Sequence, residues 1–116
     1  MPRTLPQLID GQWQTSQARE LIEVTDPATQ EVIALAPKAT AEEIEAAVAS
    51  AQKAFLTWRE VPVSERARLM LRYQHLLKEH HDELAEILAA ETGKTFADAK
   101  GDVWRGIEVA EHAANI

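Results

Sequence analysis

Thr40 and Glu43 divide this sequence. Thr-Ala-Glu-Glu is a capping box, in which a hydroxyl accepts from the backbone N–H three residues on. The glutamate reaches back to the N–H of the cap. Such a box opens a helix. Before it the apolar residues come in short runs rich in Ile, Val and Leu; after it they recur every three or four positions. The reading that follows is strands and turns over residues 1–39 and helices over residues 40–116.

In the first part, Leu8-Ile-Asp-Gly-Gln-Trp13 sets Asp10-Gly11 between short apolar ends, a strong hairpin signal. Leu21–Val24 and Glu31–Ala36 read as strands. Between them Asp26 can bond its own backbone and Pro27 presets φ, so this stretch is a turn. Pro37 closes the strand region.

After the capping box, Ile44, Val48, Ala51, Phe55 and Trp58 make one stripe. Pro62 breaks it, and Ser64 is placed to cap the next helix, whose apolar face reads as Leu69, Tyr73, Leu76 and Leu77. A third helix, from about Asp82 to Glu91, carries Leu84, Ile87 and Leu88, with Gly93 suited to its C-terminal cap. Thr95 opens a fourth, in which Val103, Trp104, Ile107 and Ala110 recur at helical spacing. Its last turn has no Gly, Pro or basic terminator beyond Asn115, so the chain reads as an N-terminal segment more than a complete protein.

Composition narrows the function. A net charge of −7 argues against broad nucleic-acid binding and gives no attraction to anionic lipid. There is no cysteine, hence no disulfide, no Cys-ligated zinc and no thiol nucleophile in these residues. No apolar run approaches the roughly 18–20 residues of a membrane span, and the opening residues resemble neither a secretion nor a transit signal. The expectation is a cytoplasmic protein.

Four stretches invite a chemical reading. Glu91-Thr-Gly-Lys-Thr95 has one glycine before its lysine, too few to wrap a triphosphate, and reads instead as a helix end followed by a helix start. His80 and His81, with Glu79 and Glu83, point about 100° apart on a helix and read as a solvated run, not a metal site. Arg66, Arg68 and Arg72 read as surface charges or, less readily, as an anion site. Arg105 is the odd residue, a permanent cation beside the apolar seam of the last helix. Its planar fork suits a carboxylate, either an internal one, such as Asp102 or Glu108, or that of an acidic ligand. Gly106 beside it leaves room for a close approach.

Together these stretches resemble the N-terminal part of the aldehyde dehydrogenase family, most closely its CoA-acylating, methylmalonate-semialdehyde branch. Leu8–Trp13 resembles the family's opening hairpin, and Val24–Thr40 its segment before the first helix. Ala54–Ala85 resembles its Ala-Phe-x-x-Trp helix and the Arg-Tyr-Gln helix that follows. Glu91–Ala113 resembles the stretch that ends in Gly-Asp-Val-x-Arg-Gly and Glu-His-Ala. Asp26 stands where the family usually has Asn, and Gln30 where many members have Gly.

The resemblance implies an α/β aldehyde dehydrogenase fold, of which these residues contribute the hairpin and helical portion to the NAD-binding domain, with the catalytic domain absent. It implies oxidation of malonate or methylmalonate semialdehyde with NAD, loss of CO2, and transfer of the acyl group to coenzyme A as acetyl- or propionyl-CoA. It also implies a homo-tetramer. In that chemistry a cysteine thiolate attacks the aldehyde, hydride leaves to NAD, and CoA thiol releases the thioester. The cysteine and the cofactor sites would lie outside these residues, so the segment alone is expected to be inactive. Arg105 matches the family arginine expected to grip the substrate carboxylate. The carbonyls of Val24 and Thr25 with Glu91 match the positions where some members hold a monovalent cation. The alternatives are a segment of a non-acylating aldehyde dehydrogenase and a non-catalytic helical interaction module.

Overall fold

Residues 2–116 are described by a computed structural model. They form two units, one made of the chain up to Asp26 with Gln30–Glu60, the other of Pro27–Thr29 with Val61–Ile116.

In the first unit, β1 (Arg3–Thr4), β4 (Leu21–Thr25) and β5 (Val32–Pro37) form a sheet in the order β1-β5-β4. β1 runs parallel to β5; β4 pairs antiparallel with it, Leu21 opposite Pro37 and Val24 opposite Ala34. β1 carries no apolar run that would mark it in the sequence. A register shift at Val24/Thr25 precedes the turn, which is closed by Asp26 and Gln30 bonding back across it. Gln30 adopts φ 65, the left-handed conformation that glycine takes without penalty. β2 (Gln7–Ile9) and β3 (Gln12–Gln14) form the hairpin expected from Asp10-Gly11, both turn residues having positive φ (54 and 70), as a two-residue turn of this hand requires.

Helix α1 (Ala41–Trp58) begins at the expected capping box. Glu43 does more than cap. Its carboxylate accepts from Thr40 N (2.9 Å), Gln17 N (2.7 Å) and Ser16 Oγ (2.8 Å), joining the segment before β4 to the helix start. These hydrogen bonds, the one from Thr40 N foremost, hold its carboxyl below the usual range. A carboxylate stabilised in the folded state contributes stability at neutral pH that is lost as pH falls below the ordinary glutamate range. Glu43→Gln is therefore expected to flatten the acid side of a stability–pH curve while changing little at alkaline pH in slope. An unaltered acid limb would show that Glu43 is not the group titrating. The stripe Ile44, Val48, Phe55 and Trp58 is exposed, and α1 has no buried residue.

In the second unit, α2 (Val63–Glu79), α3 (His81–Thr92) and α4 (Phe96–Ala114) pack with α4 against both others. Ser64 does not cap α2. Pro62 occupies the cap, its carbonyl takes the first helical bonds from Glu65 and Arg66, and Ser64 is already inside the first turn. The fixed φ of proline starts the helix two residues too early for the serine to serve. The packed side of α2 also differs from expectation. Leu69, Tyr73 and Leu76 are exposed, whereas Gln74 is buried (8% exposed). Gln74 Nε2 donates to Glu111 Oε1 at 2.8 Å, which satisfies a polar group where a leucine seam was expected. The core is narrow: Ala85, Ala99, Ile107 and Ala110, of which Ile107 is the one large side chain fully buried among the described residues. Trp104 lies at its edge, 42% exposed, under Lys78 Nζ (5.4 Å) and beside the ring of His81 (5.9 Å).

Candidate functional site

The junction of α3 and α4 places the charged residues. Gly93 ends α3 in the left-handed conformation, φ 67, the conformation for which a glycine C-cap is suited. A Cβ there would lie 3.1 Å from Pro27 Cγ and 3.3 Å from Ala28, so a side chain would be crowded as well as strained by φ. Thr95 then caps α4, accepting from Asp98 N while its hydroxyl donates to Asp98 Oδ2. The Glu91–Thr95 stretch is thus a helix end and a helix start, as read from the sequence. Lys94, between the two caps, is left facing the first turns of α4.

There Asp102 receives two cations on separate oxygens. Arg105 Nη1 donates to Oδ1 at 2.5 Å from one turn along the helix, and Lys94 Nζ donates to Oδ2. The hydrogen bond from Lys94, with the charges of Lys94 and Arg105, holds the Asp102 carboxyl below its usual range against an opposing desolvation. Arg105 itself is largely in solvent, its side chain 74% exposed. An open groove of about 380 Å³ runs past Lys94, Asp98, Gly101, Asp102 and Arg105. Its two cations and two carboxylates balance, so no net charge draws an anion in; any anion would be seated by direct contact with a guanidinium or ammonium.

A second groove of about 350 Å³ lies among α2, α3 and α4, lined by Tyr73, Leu84, Leu88, Val103 and Ile107 with Glu91 and Gly106 at its edge. A Cβ on Gly106 or Gly101 would meet nothing within 4 Å. Two glycines at exposed positions inside one helix each cost about 1 kcal/mol relative to alanine, with no close contact among the described residues to require them.

Of the residues singled out from sequence, Arg105 is brought to Asp102, the internal acid anticipated, and not to Glu108. It lies on the open side of α4, away from the apolar seam suggested by its neighbours. Val24 and Thr25 end β4 in the first unit, and Glu91 lies in the last turn of α3 in the second. His80 is exposed and pairs with Glu83, but His81 is half-buried and its Nε2–H donates to the Lys100 carbonyl at 2.8 Å, a departure from the solvated run expected. Arg68 pairs with Glu65. Among the described residues no three acidic or histidine side chains gather to hold a metal ion, and no helix is long and apolar enough to cross a membrane. The partnership of Lys94 with Asp102 had no signal in the sequence: it spans eight residues and a helix boundary, outside any helical spacing.

Residues 13–116 match the aldehyde dehydrogenase family. The chain is 49% identical over 110 residues to malonate-semialdehyde dehydrogenase 1 of Geobacillus kaustophilus, covering 95% of this chain and 22% of that one. It is 45% identical over 116 residues to the mitochondrial, acylating methylmalonate-semialdehyde dehydrogenase of Arabidopsis thaliana, covering all of this chain and 19% of that one. A solved structure from Sinorhizobium meliloti 1021, provisionally described as a methylmalonate-semialdehyde dehydrogenase and complexed with NAD, superposes with a TM-score of 0.93 at 37% identity, over 98% of this chain and 23% of that one. The chain therefore spans about a fifth of the length of the relatives it matches.

Proposed function

We propose that this chain, which belongs to the aldehyde dehydrogenase family and has the fold of the matching part of its members, serves as the N-terminal segment of an NAD-dependent, CoA-acylating dehydrogenase acting on malonate or methylmalonate semialdehyde. What carries the reading is Arg105. It sits within Gly-Asp-Val-Trp-Arg-Gly, on the open side of α4, bonded through one nitrogen to Asp102. A guanidinium has five donors and a carboxylate accepts two side by side, so this arrangement leaves Arg105 able to receive an acid. A semialdehyde that carries a carboxylate is such a substrate, and the names of the relatives agree with it.

On this reading the segment supplies orientation. Arg105 anchors the carboxylate, so that the aldehyde carbon at the other end of a short acid is presented at a fixed distance. These residues contain no cysteine, and the thiol nucleophile and the groups that hold NAD and CoA are assigned to the remainder of the enzyme. Bound there, NAD would supply the hydride acceptor and CoA the thiol to which the acyl group passes.

The test is product analysis. The full-length protein carrying this segment, given malonate semialdehyde, NAD and CoA, is expected to release acetyl-CoA, CO2 and NADH. Free acid formed at the same rate with or without CoA would overturn the acylating reading in favour of an ordinary aldehyde dehydrogenase. The 116 residues alone are expected to form no NADH above solvent background.

A further inference from the structure

We propose that Asp102 is a positioning residue, which fixes Arg105 at the rim of the groove and at the same time ties up Lys94, so that a carboxylate meets one anchor and not two. The inference rests on the reading of Arg105 just given. Three features support it. Asp102 divides its oxygens between two cations, Oδ1 to Arg105 and Oδ2 to Lys94. Both cations line the same groove, so either could take an arriving anion. Among the described residues the hydrogen bond to Asp102 is the one that Arg105 makes, and it uses one donor of five.

A carboxylate on Arg105 and a carboxylate on Lys94 would leave the aldehyde carbon in different places. The flexible, point-charge ammonium is also the less selective anchor. Asp102 decides between them. Its single charge is shared between the two, and it takes one of three ammonium donors on Lys94 but one of five on Arg105, so the lysine gives up the larger share of its capacity. Asp98, the other acid in the groove, accepts from Thr95 Oγ1 and has no bond with either cation among the described residues.

The experiment compares two substrates, malonate semialdehyde and propanal, in the full-length enzyme. Asp102→Asn keeps the shape and removes the charge; kcat/KM for malonate semialdehyde is expected to fall about tenfold, as misplacement of a reacting carbon by a fraction of an ångström implies. Propanal is expected to change by less than about twofold, having no carboxylate to misplace. Asp102→Glu should restore most of the loss, because acid and arginine three apart still pair on a helix. Adding Lys94→Met to Asp102→Asn should recover part of it, because the competing anchor is gone. A purely structural Asp102 would lower both substrates together and gain nothing from Lys94→Met, and that result would overturn the inference. If instead Arg105→Ala is itself unselective between the substrates, the reading of Arg105 fails first.

Discussion

Replacing Arg105 with alanine in the full-length enzyme is expected to lower kcat/KM for carboxylated semialdehydes by about 2–4 kcal/mol, the loss typical of a charged hydrogen-bond partner buried on binding. Propanal and other plain aldehydes should lose far less. Magnitude separates this from the alternative in which Arg105 only pairs with Asp102. An exposed ion pair is worth about 0–1 kcal/mol, and Arg105 is three-quarters exposed. Its removal would then barely change stability and would not distinguish one aldehyde from another. Selective loss requires that something with a carboxylate displaces water from the guanidinium during the reaction. Steady-state kinetics with the two substrate types makes the decision; equal losses for both would make Arg105 a surface charge and nothing more.

Ile107→Ala is expected to destabilise the helical unit by about 2–4 kcal/mol, within the range for emptying a buried aliphatic site. Ile107 is 1% exposed and the other buried residues of this unit's apolar core are alanines, so it is the one large side chain fully enclosed between α4 and its neighbours. The adjoining groove gives the neighbours room to relax, which places the expectation below the top of the range. Val109, two residues on and 68% exposed, is the control, with Val109→Ala expected to stay within about 0.5 kcal/mol. Urea unfolding monitored by circular dichroism reads both. Equal shifts for Ile107→Ala and Val109→Ala would mean that α4 is not seated as described.

The parts of this fold that could be read from the sequence are those decided within a few residues. Asp10-Gly11 specifies its turn because positive φ is needed at both positions. Thr40 and Glu43 specify a helix start because each satisfies a backbone donor of the other. Gly93 and Thr95 mark an end and a beginning for the same kind of local reason. What could not be read depends on partners distant in sequence. Gln74 is inside because Glu111, on another helix, accepts its hydrogen bond. Leu69, Tyr73 and Leu76 follow the helical period faithfully and yet stay outside. A period shows which residues share a face, and α2 has more than one apolar face from which to choose. Trp104 fits its seam by spacing but lies at the edge, where Lys78 and His81 receive its ring. At the candidate site, Arg105 stood out as a charge beside an apolar seam, and Asp102, one turn away, was among the acids expected to meet it. That Asp102 would be shared with Lys94 followed only once the turn at Gly93 was in place.

The connections in the helical unit also bear on how quickly it forms. Only His80 lies between α2 and α3, and only Gly93, Lys94 and Thr95 between α3 and α4. Helices joined so closely make contacts of low sequence separation, and topologies of that kind fold in microseconds to milliseconds. The β1–β5 pairing, by contrast, joins Arg3 to Ala34 and must close a loop of some thirty residues first, at an entropic cost that grows with the logarithm of loop length. The three-helix unit is thus suited to be an early nucleus, and the groove that holds Lys94, Asp102 and Arg105 is complete as soon as α3 turns into α4.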